Sequence, residues 1–212
     1  PSGEAVMPRL ENKYAQRSGS ELAVANFKQS MPASDYAALD RLEAFERDVM
    51  QKLDQEAITV IEENARNTAL ITTISPFALF DALVTLWRNL RMIRQVATIY
   101  GVAPGFLGSV GLLRQVFANV MLTGGLEAAD GVLNQVIGGS MAGKVSTKLA
   151  EGLVNGMLSA RLGLSAMDHC RPMPFEPDSR PRLTTVAKRL VTSVRKAVMS
   201  GGDKDQIDES KA

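Results

Sequence analysis

NTALITTISPFALFDALVTLW, residues 67–87, carries a single ionisable side chain, Asp81, and a single proline, Pro76. About 20 apolar residues suffice to cross a bilayer core, and Arg88, Arg91 and Arg94 follow the stretch as a cytoplasmic flank would. Against a membrane span, an ionised Asp81 inside it would cost roughly 2.5 to 3.5 kcal/mol, and Pro76 and several hydroxyl side chains weaken it further. Pro76 disfavours helical geometry at Ser75 and lacks a backbone donor, so two helices are expected to meet there, with Pro76 in the first turn of the second. They are expected to be the central helices of a bundle, apolar all round because neighbours surround them.

Working outward, Ser34 is a suitable helix cap, and Leu39, Leu42, Phe45, Val49 and Leu53 follow it at spacings of three and four. A short helix is expected from Glu21 to Ser30, ended by Met31 and Pro32. On the other side, a helix to about Tyr100 stops at Gly101, and further helices are expected over about 106–123 and 126–137. A long helix from about Ala142 to Leu164 places Gly152, Gly156 and Ala160 four residues apart, a stripe that lets another helix backbone approach closely. The proline-rich HCRPMPFEPDSRPR breaks regular structure, and a basic helix follows from Leu183 to Ser200. No strand pattern appears. The fold class is therefore all-α, a multi-helix bundle over 21–200, with mobile termini at 1–20 and 201–212.

The bulk numbers agree: 212 residues suit one domain, and a 45% hydrophobic but only 5% aromatic composition favours helices. Formal charge is +1, with acids in excess up to Arg66 and bases beyond it, which argues against nucleic acid as a partner. The one cysteine, Cys170, cannot staple the fold. The chain opens at Pro1 with neither an initiator methionine nor a signal core, and is expected to be cut from a longer protein.

Candidate chemistry is sparse. GGSMAGK, residues 138–144, matches most of a phosphate-binding loop, but Val145 stands where Ser or Thr would hold magnesium, and no strand precedes it. Asp168, His169 and Cys170 are consecutive, so their side chains diverge and cannot form a triad. With one histidine and one cysteine, a zinc site lacks ligands. No catalytic residue, cofactor or metal is expected. Asp81, the acid in the most apolar region, is expected to tether Arg88 or Arg161.

The residues SPFALFDALVTLWRNL and ATIYG, with ARLGLSAMDHCRP at 160–172 and PRL at 181–183, resemble the YcjF-type bacterial inner-membrane family over about 64–191. The resemblance implies a domain that follows two transmembrane helices and is often encoded beside a YcjX-type GTPase-like protein. It brings no catalytic residues. The expected function is thus a non-catalytic interaction domain, held at the cytoplasmic face of the inner membrane by an upstream anchor, that binds or regulates a GTPase-like partner. Pro76, Asp81, Trp87, Arg88, Arg91, Arg94, Gly152, Gly156 and Arg161 are its structural or interaction residues, and the basic Arg182–Lys196 helix is a second surface. Alternatives are direct contact with an anionic membrane surface, self-association into a homo-oligomer, or an enzyme of unknown chemistry.

Overall fold

The computed structural model describes residues 3–17, 19–75, 78–102, 111, 118, 147–176 and 178–209, with side chains for all of these except 3–5, 78–81 and 199–209. All regular structure among them is helical: α1 (Gly3–Ala15), α2 (Glu21–Ser30), α3 (Ala38–Phe45), a π-helical turn (Glu46–Met50), α4 (Gln51–Ile74), α5 (Ala78–Ile99), α6 (Thr147–Cys170) and α7 (Leu183–Glu209). The fold class is the all-α bundle expected. The helices expected over 106–123 and 126–137, and the GGSMAGK segment, lie outside the described residues, apart from helical Gly111 and Ala118.

The centre of the bundle is α4 against α6, the most extensive contact between elements. Leu53, Ala57, Ile61, Ala65 and Ala69, each four residues from the next, form a buried ridge along α4. Gly152, Gly156 and Gly163 of α6 face it so closely that a Cβ at Gly156 would fall 2.7 Å from the Ala65 carbonyl oxygen, and one at Gly163 2.6 Å from Ile61 Cγ1. Glycine costs about 0.5 to 1 kcal/mol at each helix-interior position relative to alanine, and the close backbone packing it permits offsets that cost.

The corner after α4 forms as the proline requires. Ser75 is extended (φ −68°, ψ 127°) and its amide donates to Ile71 O at 2.8 Å, closing α4 just before Pro76, which itself lies outside the described residues. The stretch 67–87 nevertheless departs from the expected central position. Thr68, Ala69 and Thr72 are buried, whereas Ile74, Leu83, Leu86 and Trp87 are exposed among the described residues. Buried residues continue on either side of it, through the middle of α4 and over the second half of α5, where Met92, Ile93, Val96 and Ala97 are buried, with Tyr100 just beyond its end. No helix among the described residues is long and apolar enough to cross a membrane.

Three further expectations need correction. The N-terminal segment is helical over Gly3–Ala15, and Met7, Leu10 and Tyr14 insert into the core, where Tyr14 meets the Phe45 ring at 6.1 Å and Phe27 meets Phe45 edge-on at 5.3 Å. Arg41 also ties α1 to α3 by donating to Glu11 at 2.7 Å. Three apolar anchors in an otherwise polar stretch create little visible periodicity, and tertiary contact supplies the rest. Secondly, Ser34 does not cap a helix. Its hydroxyl donates to Asp35 at 2.6 Å and α3 begins at Ala38, leaving Leu39 exposed. The π turn then rotates the buried face, so that Glu46 joins Phe45 and Val49 inside. Thirdly, the backbone of α7 stays helical to Glu209, beyond the expected end at Ser200.

Candidate functional site

The first half of α5 presents Leu83, Leu86 and Trp87 outward at spacings of three and four, that is, on one face. One turn further, the Arg91 guanidinium sits 5.7 Å from the Trp87 ring centroid, a cation–π contact at the surface. Asn64 of α4 donates to Asn89 Oδ1 of α5 at 2.9 Å in a buried pair that fixes the two helices side by side. Beside this pair runs a groove between α4 and α5. Val60, Glu63, Asn64, Asn67, Trp87, Arg88, Arg91 and Gln95 line it. Arg88 is half-buried, and its Nε is fully buried without a hydrogen-bond partner among the described residues. The groove offers guanidinium and amide donors beside an exposed indole. Such groups bind carboxylate, phosphate or carbonyl oxygens.

Of the residues singled out from sequence, Trp87, Arg88 and Arg91 thus come together. Arg94 and Arg161 are half-buried, each with an interaction of its own, and neither lines the groove. The backbone of Asp81 lies in α5, but its side chain, and hence the expected tether to Arg88 or Arg161, is outside the described residues. Gly152 and Gly156 belong to the buried α4–α6 seam. On α7, Arg189 donates to Glu62 of α4 at 2.9 Å, while Arg182, Lys188, Arg195 and Lys196 are exposed. His169 Nδ1 lies 2.7 Å from Ser165 O, and Cys170 is buried, its thiol pushed up to about 11 by desolvation, so the three consecutive residues form no triad.

A second polar centre escaped the sequence reading. Arg171, immediately after α6, turns its side chain back into the bundle, where it is 1% exposed. Its Nε donates to Asp54 Oδ1 at 3.1 Å, its Nη2 to Asp54 Oδ2 at 3.1 Å and to Glu46 Oε1, and its Nη1 to the carbonyls of Met173 and Pro174, each at 2.7 Å. Phe175 stacks on the guanidinium at 4.2 Å. Asp54 Oδ1 also accepts from the Tyr100 hydroxyl at 2.6 Å, and the Tyr14 hydroxyl donates to Tyr100 O at 2.9 Å. One connected network therefore joins α1, the π turn, α4, the end of α5 and the segment after α6.

Burial raises the Glu46 carboxyl, with Arg171 pulling the other way. Desolvation pulls Arg171 down, but its hydrogen bonds to Asp54 and Glu46 outweigh this and raise it. Burial, and secondarily Asp54, lifts Tyr100, and burial brings Tyr14 to about 12. The cluster is architectural: its groups hold helix ends and loop carbonyls. The signal for it in the sequence is Asp54, an acid between Leu53 and Ala57 on an otherwise apolar helix face.

Residues 36–196 match the model of a family described as Domain of unknown function (DUF697). The chain belongs to the DUF697 family. The match begins ahead of α3, so α3 and the π turn lie inside the DUF697 region, which is wider than the stretch of about 64–191 that carries the resemblance, whereas α1 and α2 precede it. Similar proteins include a UPF0283 membrane protein of Rhodopseudomonas palustris, 44% identical over 152 residues that make up 72% of this chain and 41% of that protein. Another of Bradyrhizobium diazoefficiens is 40% identical, covering 72% of this chain and 44% of the relative. A third, of Haemophilus influenzae, is 35% identical over 164 residues, 77% of this chain and 46% of that protein. The chain spans less than half the length of these relatives. They are bacterial and named as membrane proteins, in keeping with the membrane association expected from the resemblance. No solved structure matches the chain.

Proposed function

We propose that this DUF697 chain is a non-catalytic interaction domain, tethered to the cytoplasmic face of the bacterial inner membrane in its native protein, that binds or regulates a YcjX-type GTPase-like partner through the outer face of α5. The observation that carries the reading is the grouping of exposed Leu83, Leu86 and Trp87 with the Arg88 and Arg91 groove. Aromatic and arginine side chains are the types that dominate binding energy at protein interfaces. The membrane tether draws support from the names of the relatives, and the GTPase-like partner from the residue resemblance.

The test is retention of the GTPase-like neighbour by the full-length protein, with the neighbour nucleotide-free, GDP-bound or bound to a non-hydrolysable GTP analogue. Retention in at least one state is expected, and the double variant Trp87→Ala, Arg91→Glu should lose it. Failure to bind in every state would remove the proposal. A second reading has its own observation: exposed Leu83, Leu86 and Trp87 share a face of α5 with Arg91 at Trp87, as in a helix that rests on an anionic bilayer surface. Flotation of the chain with vesicles containing phosphatidylserine, but not with purely zwitterionic ones, would favour that reading over the protein partner.

A further inference from the structure

On a different face, a second groove of about 320 Å³ opens above the Arg171 cluster, bounded by α1, α3, the π turn and the segment that follows Arg171. Leu10, Leu42 and Met173 contribute to a mainly apolar wall, and among the described residues the ionisable groups of the lining are all acidic: Glu43, Glu46 and Glu176. Glu46 is the unusual member. Its side chain is 4% exposed and Oε1 is bonded to Arg171, but Oε2 is buried with no hydrogen-bond partner among the described residues.

Arg171 cannot supply that partner. Its five N–H groups are already spent on Asp54 through Nε and Nη2, on Glu46 Oε1 through Nη2, and on two backbone carbonyls through Nη1. Nor does its charge balance the site, since one guanidinium faces Glu46 and Asp54 within the cluster and Glu43 and Glu176 at the groove. A buried carboxylate oxygen without a donor is costly, and a cation arriving from outside would remove the cost.

We propose that this groove receives a lysine or arginine side chain carried on an apolar peptide segment of a partner protein. The aliphatic stem lies along Leu10, Leu42 and Met173, the cationic head donates to Glu46 Oε2, and Glu43 and Glu176 draw it in from the rim. Long basic side chains combine these two characters, an apolar stem and a charged tip. A metal ion fits less well, because the described residues hold no group of three or more ligand side chains close enough to bind one. An anionic lipid surface would be repelled by the rim. The surface is separate from α5, so the result here stands apart from whether a GTPase-like protein binds there.

The probe is n-butylguanidinium, titrated into the full chain labelled with ¹³C at the methionine methyl groups, with n-butanol and butyrate as controls. The Met173 methyl resonance is expected to shift and saturate with the cation, and butanol and butyrate should bind about tenfold more weakly or worse, the loss of one charge-assisted hydrogen bond. Glu46→Gln should abolish the preference for the cation. Because that change also strips a charge from Arg171, the rim pair Glu43→Gln, Glu176→Gln provides a variant at exposed positions, expected to weaken the cation several-fold while leaving butanol unchanged. Equal binding of all three probes, no shift of Met173, or cation binding indifferent to both variants would each overturn the proposal.

Discussion

Arg171 holds five acceptors and an aromatic ring at 1% exposure, so removing its charge leaves two buried acids without their cation. Arg171→Met, which keeps much of the volume, should destabilise the fold by about 3 to 5 kcal/mol, measured by urea unfolding. A loss under about 1 kcal/mol would mean that Glu46 and Asp54 find other partners. The tyrosines make a pH prediction. Tyr14 keeps its proton to about 12 in the folded chain, against an ordinary value of 10, so its contribution to stability is complete below pH 10 and is lost as pH rises toward 12. Tyr14→Phe should cost about 1 kcal/mol at neutral pH through its lost bond to Tyr100 O, and should flatten the fall in the urea midpoint above pH 10. An unchanged slope would contradict this assignment. Residue-scale chemistry was only partly legible in sequence. Asp81 stands out because its neighbours are apolar, whereas Asp54 lies between Leu53 and Gln55 with Lys52 and Glu56 close by, and its place on an apolar face shows only once α4 is wound.

At the scale of elements, the glycine stripe of α6 was readable because its function depends on spacing alone. A methyl group at Gly156 would press on the Ala65 carbonyl of α4, and backbone cannot rotate away as a side chain can. Gly156→Ala should therefore lower stability by about 1 to 3 kcal/mol, despite alanine's better helix propensity, with the shift read from thermal unfolding. A stabilised variant would show that α4 and α6 are less closely seated. The bounds of α2 were also legible, since Met31 and Pro32 stop it locally. Helix α1 and the π turn were not. The first owes its stability to Met7, Leu10 and Tyr14 joining a core built by other elements, Tyr14 against Phe45, and the second inserts a register shift that no short-range pattern announces.

For the whole molecule, Trp87 is the only tryptophan and is 59% exposed, which makes it a reporter of the outer face of α5 rather than of the core. The free chain should show the red-shifted, readily quenched emission of an indole in water, moving to the blue when a partner or bilayer covers that face. Blue-shifted, protected emission from the free chain would mean that the face is already covered. The helical class, the break expected at Ser75 and Pro76 and the close-packing stripe were already present in the linear chain, because periodicity, proline geometry and residue size act over one or two turns. Tertiary structure alone decided which side of the apolar stretch 67–87 faces outward, and which charges lie inside. Those outcomes depend on partners far away in sequence: Arg171 meets Glu46 and Asp54 across 125 and 117 residues, and no local rule relates them.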